Sequence, residues 1–422
     1  MKFHYDLLIQ ILCLLPVESL LRFRCLSKIC CSCIDSPYFI NLHLNQSIKT
    51  STNRSLIIDD IYPEGSIYSV DLDSSESDRS PVELHRPYKP FVTTVESFLD
   101  YTTRRRIVRP RKFSSDVFGS CNGLLAMYNG SGITLWNPST KKHQNIPKFW
   151  SDIEYNACDN LLVGFGYDSI KNDYKVIEMH QRSGLHHNQK HEIKAIVYSL
   201  KGNCSTRIED LNDYYIPYNS HSTGVPVGGS LHWVVSGQEE WFNFDNSILA
   251  FDLVNDKFYE LPKPHTKSEP FACLGELGGN LAISYSSNTR LFIEVWVMKE
   301  YGVMDSWTKL FQIDGKEQSG LADCYAAYVQ PLCYSKTGGE VLVSYQYDEY
   351  FVSYDLEKKR AKGVAMFRSP ERDSTHRCIP NKISANICIR SLVPANFNSG
   401  NAEFSSDIIQ CKKRKRTSTE VS

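Results

Sequence analysis

The chain has 422 residues, with 47 Lys and Arg against 48 Asp and Glu and a formal charge of -1; at roughly 100–200 residues per domain the length suggests two or three domains. With 41% hydrophobic and 23% charged residues, the composition excludes a disordered, collagenous or fibrous chain. The charge balance excludes a chain that is polybasic or polyacidic overall, though not charged segments that cancel.

The first segment, Leu7 to Leu15, is apolar, but Asp6 before it, Gln10 within it and Pro16-Val17-Glu18 after it do not make the charged, apolar and small-residue sections of a secretory signal. No stretch approaches the roughly 20 apolar residues of a membrane span, and no membrane contact is expected. Leu7, Leu8, Ile11, Leu12 and Leu15 follow a helical spacing, which predicts a helix starting near Asp6, with Asp6 as its N-cap. Pro16 breaks it and suits the first turn of a second helix, on which Val17, Leu20 and Leu21 share a face. Ser27 can cap a third helix carrying Cys30, Cys33 and Ile34, and Ser36-Pro37 restarts the chain. Three short helices cannot bury enough surface to stand securely alone. They ask for a partner, or they pack on the rest of the chain.

The run Leu14-Leu15-Pro16-Val17-Glu18-Ser19-Leu20-Leu21-Arg22-Phe23-Arg24-Cys25-Leu26-Ser27-Lys28, with Ile34-Asp35-Ser36-Pro37-Tyr38-Phe39 and His43-Leu44, resembles a plant F-box over residues 1–45. The resemblance implies docking on a Skp1-like adaptor and, through it, on the cullin of a ubiquitin ligase. For adaptor contact and the packing that shapes it, it points to Leu7, Leu8, Ile11, Leu12, Leu15, Pro16, Val17, Leu20 and Leu21. Two positions depart from the pattern: Phe3-His4 stands where the family opens with Leu-Pro, and Cys30 where it carries Trp.

Residues 51–100 hold ten acidic residues against four basic ones, and Arg104 to Lys112 then places six cations in nine positions. That run lacks interleaved aromatics and contains Pro110, so a solvated loop is expected and no nucleic-acid partner. Residues 46–118 are read as a connection and a first blade of the architecture that follows.

From Gly119 the pattern changes to short β-rich runs separated by turns. Leu124–Tyr128 and Ile133–Trp136 flank Asn129-Gly130, and Ile248–Leu253 and Lys257–Leu261 flank Asn255-Asp256. Glycine-bearing turns open strands at Leu124, Leu231, Leu281 and Val341, and aromatics at Trp136, Tyr198, Phe251, Trp296 and Tyr354 recur every 45 to 62 residues. A period of about 54 residues built of short antiparallel strands fits a β-propeller close to kelch repeats in length. Five such units are expected over 119–395 and about six blades in all with the one in 46–118, the strand Asn386–Leu392 closing the ring on that first blade; a pair of β-sandwiches is the alternative.

Gly119-Ser120-Cys121-Asn122-Gly123-Leu124-Leu125, Leu135-Trp136-Asn137-Pro138-Ser139-Thr140, Gly164-Phe165-Gly166-Tyr167-Asp168 with Asp173-Tyr174-Lys175-Val176, and Gly229 with Leu231-His232-Trp233 resemble the F-box-associated domain of plant F-box proteins. In that family the domain is a kelch-like substrate receptor. The fold class expected is therefore an α+β multidomain chain: a three-helix F-box, then an all-β propeller.

Catalytic patterns are lacking: no G-x-S-x-G elbow, P-loop or H-E-x-x-H occurs. The Cys30–Cys33 pair has no second ligand pair for zinc, His187 and His191 fall in a polar loop, and Asp168 and Asp173 read as turn formers. The 14 cysteines scatter as free thiols of a reducing compartment do. Neither enzyme activity nor a cofactor is expected. The polar segment 396–422 ends in Lys412-Lys413-Arg414-Lys415-Arg416, a nuclear-import address or a solvated end, so the location expected is nucleus, cytoplasm or both. The function expected is a substrate-recognition subunit of an SCF-type ligase that binds an unidentified protein. The alternatives are a propeller binding protein with a degenerate F-box, or a propeller hydrolase or lectin.

Overall fold

The computed structural model describes residues 5–60, 66–74, 79–88, 91–100, 105–113, 117–129, 132–147, 160–182, 192–208, 211, 213–216, 223–237, 246–266, 271–286, 292–314, 329–345, 350–364 and 383–395. His187, His191 and the Lys412–Arg416 cluster lie outside them.

Four helices open the chain, one more than expected: α1 (Tyr5–Cys13), α2 (Val17–Phe23), α3 (Lys28–Ile34) and α4 (Pro37–Thr50). Asp6 lies in the first turn of α1 and not at its cap. Pro16 precedes α2 in extended backbone, where its fixed φ suits a helix entry. Ser27 caps α3 by accepting from Cys30 N at 3.1 Å. Ser36 caps α4 by accepting from Phe39 N at 3.2 Å, and Pro37 occupies its first turn.

Six sheets follow as blades. The first contains β1 (Arg54–Asp60), β2 (Ile67–Asp71) and β3 (Val82–Leu84). A two-stranded excursion, β4 (Phe91–Asp100) and β5 (Arg105–Phe113), precedes the second blade of β6 (Val117–Cys121), β7 (Leu124–Tyr128), β8 (Gly132–Asn137) and β9 (Lys142–Pro147). The third has β10 (Asn160–Asp168), β11 (Asp173–Arg182), β12 (Glu192–Ser199) and β13 (Cys204–Ile208). In the fourth the innermost strand is split into β14 (Tyr214–Tyr215) and β15 (Val225–Val227), both paired to β16 (Ser230–Gly237), and β17 (Asn246–Asp252) and β18 (Lys257–Leu261) complete it. The fifth is β19 (Phe271–Leu277), β20 (Asn280–Ser286), β21 (Phe292–Met298) and β22 (Trp307–Asp314), and the sixth β23 (Val329–Tyr334), β24 (Glu340–Tyr345), β25 (Tyr350–Asp355) and β26 (Arg360–Val364). The last strand, β27 (Ile383–Ile389), returns to pair antiparallel with β1 from Arg54 opposite Ile389 to Asp60 opposite Ile383. The closing strand expected near Asn386 is therefore present. It supplies the innermost strand of the first blade, so the ring is sealed by the two ends of the propeller sequence.

The basic run is corrected: Arg105–Phe113 is strand, not loop, and its register sets Asp100 opposite Arg105 and Glu96 opposite Arg109. Pro110 is tolerated there because a two-stranded sheet has only edge strands.

Local chemistry explains the turns. Asn122 and Gly123 have φ of 53° and 84°, Gly228 and Gly229 60° and 80°, and Gly278 and Gly279 61° and 84°; two successive positive φ values are what a tight hairpin of this hand requires. A Cβ on Gly123 would also lie 2.5 Å from the Ile389 carbonyl oxygen. Gly123→Ala is therefore expected to lower stability by about 2–4 kcal/mol, read from urea unfolding. Between third and fourth strands the device is an Asx turn. Asn137 Oδ1 accepts from Ser139 and Thr140, Asp252 Oδ1 from Val254 and Asn255, and Asp355 Oδ1 from Glu357 and Lys358. Each is followed by a residue at positive φ: Lys141, Asp256 and Lys359.

The five periodic aromatics all occupy third strands: Trp136, Tyr198, Phe251, Trp296 and Tyr354. Blades are tied across their seams by Trp233 Nε1 donating to Val163 O at 2.9 Å and by the buried Lys175, whose Nζ bonds Leu253 O and Asp256 Oδ1 at 2.5 Å each.

The alternating strands give the propeller two ends. Turns from first to second and from third to fourth strands share one of them. The helices enter there, since α4 leads through Asn53 into Arg54. The strand ends that lead into joins from second to third strands and between blades lie at the other end; the longer joins 148–159, 315–328 and 365–382 lie outside the described residues.

Candidate functional site

The helices form a small core of Ile9, Leu12, Val17, Leu20, Cys33, Ile34 and Phe39, and Leu392 from beyond β27 completes it. Of the residues singled out from sequence, Leu12, Val17 and Leu20 are thus packing residues, while Leu8, Leu15 and Leu21 are half-buried against them. Leu7 and Ile11 are about half exposed, at 49% and 47%, and Pro16 is exposed. The single face expected for α1 is split: Ile9 and Leu12 face inward, while Leu7 and Ile11, with Leu14 just beyond the helix at 75% exposure, stand outward. Their spacing of four and three residues makes them a stripe along the helix and its last turn. Leu14, Leu26, Ile29 and Tyr38 are also exposed, and sequence reasoning left them out of the site. Their signal was their apolar character at positions alternating with packing residues.

The unit is fastened to the propeller at three points. Leu44 of α4 is buried among Phe118, Leu124, Phe165 and Val393, with Ile40 packed beside it. Arg390, just past β27, pairs with Glu18 of α2 at 3.3 Å and with Asp71 at 3.2 Å. Asn137 donates to Ser391 O and Val393 O at 3.1 and 2.8 Å, which fixes the segment that carries Leu392.

His43 holds the turn between α1 and α2. Its buried Nε2–H donates to Leu15 O at 2.9 Å, which makes it the neutral Nε2 tautomer. Burial lowers its pKa below the ordinary histidine value, and the Leu15 carbonyl only partly opposes that. His232 behaves likewise, lowered by burial to about 4. For both, the unfolded chain takes up a proton first as pH falls, so stability drops as pH goes from about 7 to about 5. The urea midpoint is expected to fall over that range, and His43→Gln, whose amide can make the same bond, to flatten part of the slope.

Among the described residues no three His, Cys, Asp or Glu side chains gather as a metal site, and no helix is long and apolar enough to cross a membrane. Asp168 and Asp173 serve turns: Asp168 Oδ1 accepts from Ile170 N and Lys171 N, and Asp173 from Ser199 and Lys201 N. The described cysteines are free thiols.

A four-helix unit with an outward apolar stripe, seated on a six-bladed propeller, defines a docking protein that carries a receptor domain. Comparison with known proteins gives its family. The F-box domain matches residues 2–42 and the F-box associated beta propeller domain residues 67–377. The F-box protein CPR1 of Arabidopsis thaliana is 30% identical over 410 residues, covering 92% of this chain and 88% of the relative. The F-box/kelch-repeat protein At3g23880 of the same plant is 28% identical, over 74% of this chain and 79% of the relative. A solved nidogen/laminin complex aligns with 80% of this chain and 99% of its own at a TM-score of 0.42 and 12% identity. The chain belongs to the plant F-box proteins with an F-box-associated propeller domain. That architecture is the one of F-box substrate receptors and is typical of adaptors that perform no chemistry themselves.

Proposed function

We propose that this chain is the substrate-recognition subunit of an SCF-type ubiquitin ligase. The helices dock on a Skp1-like adaptor and through it on cullin; the propeller holds a target protein near the ubiquitin-loaded enzyme. The contribution is proximity, which raises the effective concentration of target lysines. The observation that carries the reading is where apolar surface is left uncovered. Of twelve exposed large hydrophobic side chains among the described residues, seven lie on the helices or the turns between them: Leu7, Ile11, Leu14, Leu26, Ile29, Tyr38 and Ile48. An excess of exposed apolar side chains in one small unit is what a protein interface requires.

The end of the propeller opposite the helices is where strand ends lead into the longer joins, and loops on a rigid scaffold are where recognition concentrates. We place target capture there. Immobilised full-length chain is expected to retain purified Skp1-like adaptor, and cullin only when the adaptor is present. Retention of neither would leave a propeller binding protein with a degenerate F-box, a reading supported by the half-buried Cys30 in α3 and by Phe3-His4 where the family opens with Leu-Pro.

Nuclear location through Lys412–Arg416 belongs to the same reading. Replacing the five cations with Ala should move a tagged protein from nucleus to cytoplasm, and an unchanged distribution would remove that element.

A further inference from the structure

We propose that the two-stranded hairpin inserted between the first and second blades is a docking surface for an extended acidic segment of a target protein. The inference rests on the reading of the chain as a substrate receptor, and it gives the chemistry of what is captured. β4 and β5 belong to no blade: among the described residues they pair only with each other. Both approaches to the insertion are fixed on one buried carboxylate. Asp59, fully buried near the end of β1 away from the helices, accepts from Arg86 Nη2 at 2.8 Å and from Val117 N at 2.9 Å, and Tyr88 donates to Tyr128 O at 2.9 Å. The hairpin is therefore rooted at the end of the propeller opposite the helices.

Charge is concentrated on this insertion. β4 and β5 carry five cations and two carboxylates, a net of +3 in a chain whose total is -1. The register divides them between two faces. Arg105 and Arg109 stand opposite Asp100 and Glu96, a placement in which opposite charges offset one another. Arg106 and Lys112 stand opposite Leu99 and Val92, and strand alternation sets Val108 and Pro110 between them on the same face, opposite Ser97 and Val95. That face holds two cations and no acid. Six residues of strand separate the two cations by about 20 Å.

The partner follows from that pattern. An extended chain with carboxylates about six residues apart and apolar residues between them matches a face with cations at its ends and Val95, Val108 and Pro110 between. Pro110 and the charged residues along β5 discourage the addition of a further strand at its edge, so charge and not main-chain pairing selects the partner. A nucleic acid suits the hairpin less well. A duplex carries a charge about every 1.7 Å, far denser than two cations six residues apart, and β4 sets Glu96 and Asp100 into the same ribbon.

Fluorescence anisotropy of the full chain with a labelled peptide, glutamates at its first and seventh positions and valines at its third and fifth, tests the surface. The same peptide with lysines in place of the glutamates, and a labelled oligo-dT, are measured beside it. Saturable binding of the glutamate peptide is expected with Kd about 100 μM or tighter, and no saturable binding of the other two. Arg106→Gln with Lys112→Gln should weaken it about tenfold or more, and Arg106→Glu with Lys112→Glu should transfer binding to the lysine peptide. Equal binding of the two peptides, binding of neither, tighter binding of oligo-dT, or undiminished binding by a folded Gln variant would overturn the proposal. If neither variant folds, native binding unchanged on raising salt from about 50 to about 500 mM would do the same. Retention of Skp1-like adaptor by the same chains separates the two readings. A chain that retains no adaptor but prefers the glutamate peptide removes the ligase and keeps the surface; one that retains adaptor without that preference removes the surface alone.

Discussion

Ending the chain at Lys382 is expected to unfold the propeller, although the removed segment carries none of the receptor's loops among its described residues. The segment supplies β27, whose seven-residue register with β1 closes the ring. Its side chains also enter four separate cores. Ala385 packs with Leu56 and Phe351, Cys388 with Ile57 and Trp136, Leu392 with the helices, and Val393 and Ala395 with Phe118 and Leu124. Removing it would expose the innermost edges of the first blade and strip Leu392 from the helical core. A loss larger than the roughly 5–15 kcal/mol that stabilises most domains is expected. The truncated chain should show no cooperative thermal transition and should recover one when residues 383–395 are co-expressed as a separate segment. A soluble truncated chain melting near the native temperature would contradict the closure.

The second large effect separates packing from docking on the helices. Leu20 is fully buried, so Leu20→Asp places an unpaired charge in a core of few residues and is expected to cost about 4 kcal/mol or more. Loss of adaptor binding by that variant would say nothing about the interface. Ile11 and Leu14 are 47% and 75% exposed, and Asp at either should change stability by about 1 kcal/mol or less. Thermal melting of the two kinds of variant, side by side, checks the division. A Leu20→Asp chain as stable as the native one would overturn the assignment of Leu20 to the core.

Why the sequence disclosed the ring so well and the helices less well follows from the physics of each. Asn122-Gly123, Gly228-Gly229 and Gly278-Gly279 are legible because positive φ at two adjacent residues restricts the choice of residue. The aromatics from Trp136 to Tyr354 are legible because five of the six blades place one on the third strand, and blades repeat. The fourth helix was hidden by its own buried face, which includes His43 and Ser47. His43 Nε2–H donates to Leu15 O and Ser47 donates to His43 O, each at 2.9 Å, so two of the four buried positions are polar and only Phe39 and Leu44 mark the face by apolar character. The basic strand was hidden for a different reason. Its pairing with an acidic strand is a contact between segments, and no property of Arg105–Phe113 alone announces it.

On α1 the difficulty was ambiguity. Leu7, Leu8, Ile9, Ile11, Leu12, Leu14 and Leu15 make the helix and its exit apolar on nearly every side, and periodicity cannot say which side meets the core and which a partner. The structure turns Ile9 and Leu12 inward and leaves Leu7, Ile11 and Leu14 outward. An apolar excess beyond what the core uses is the signature of a docking helix.

The central claim, that this outward stripe is the adaptor interface, is tested most directly by retention of Skp1-like adaptor on immobilised full-length chain, native against Ile11→Asp with Leu14→Asp. The account predicts that the native chain retains the adaptor, while the double variant melts within a few degrees of native and loses about tenfold or more in affinity. Retention of the adaptor by the folded double variant at native affinity would contradict it.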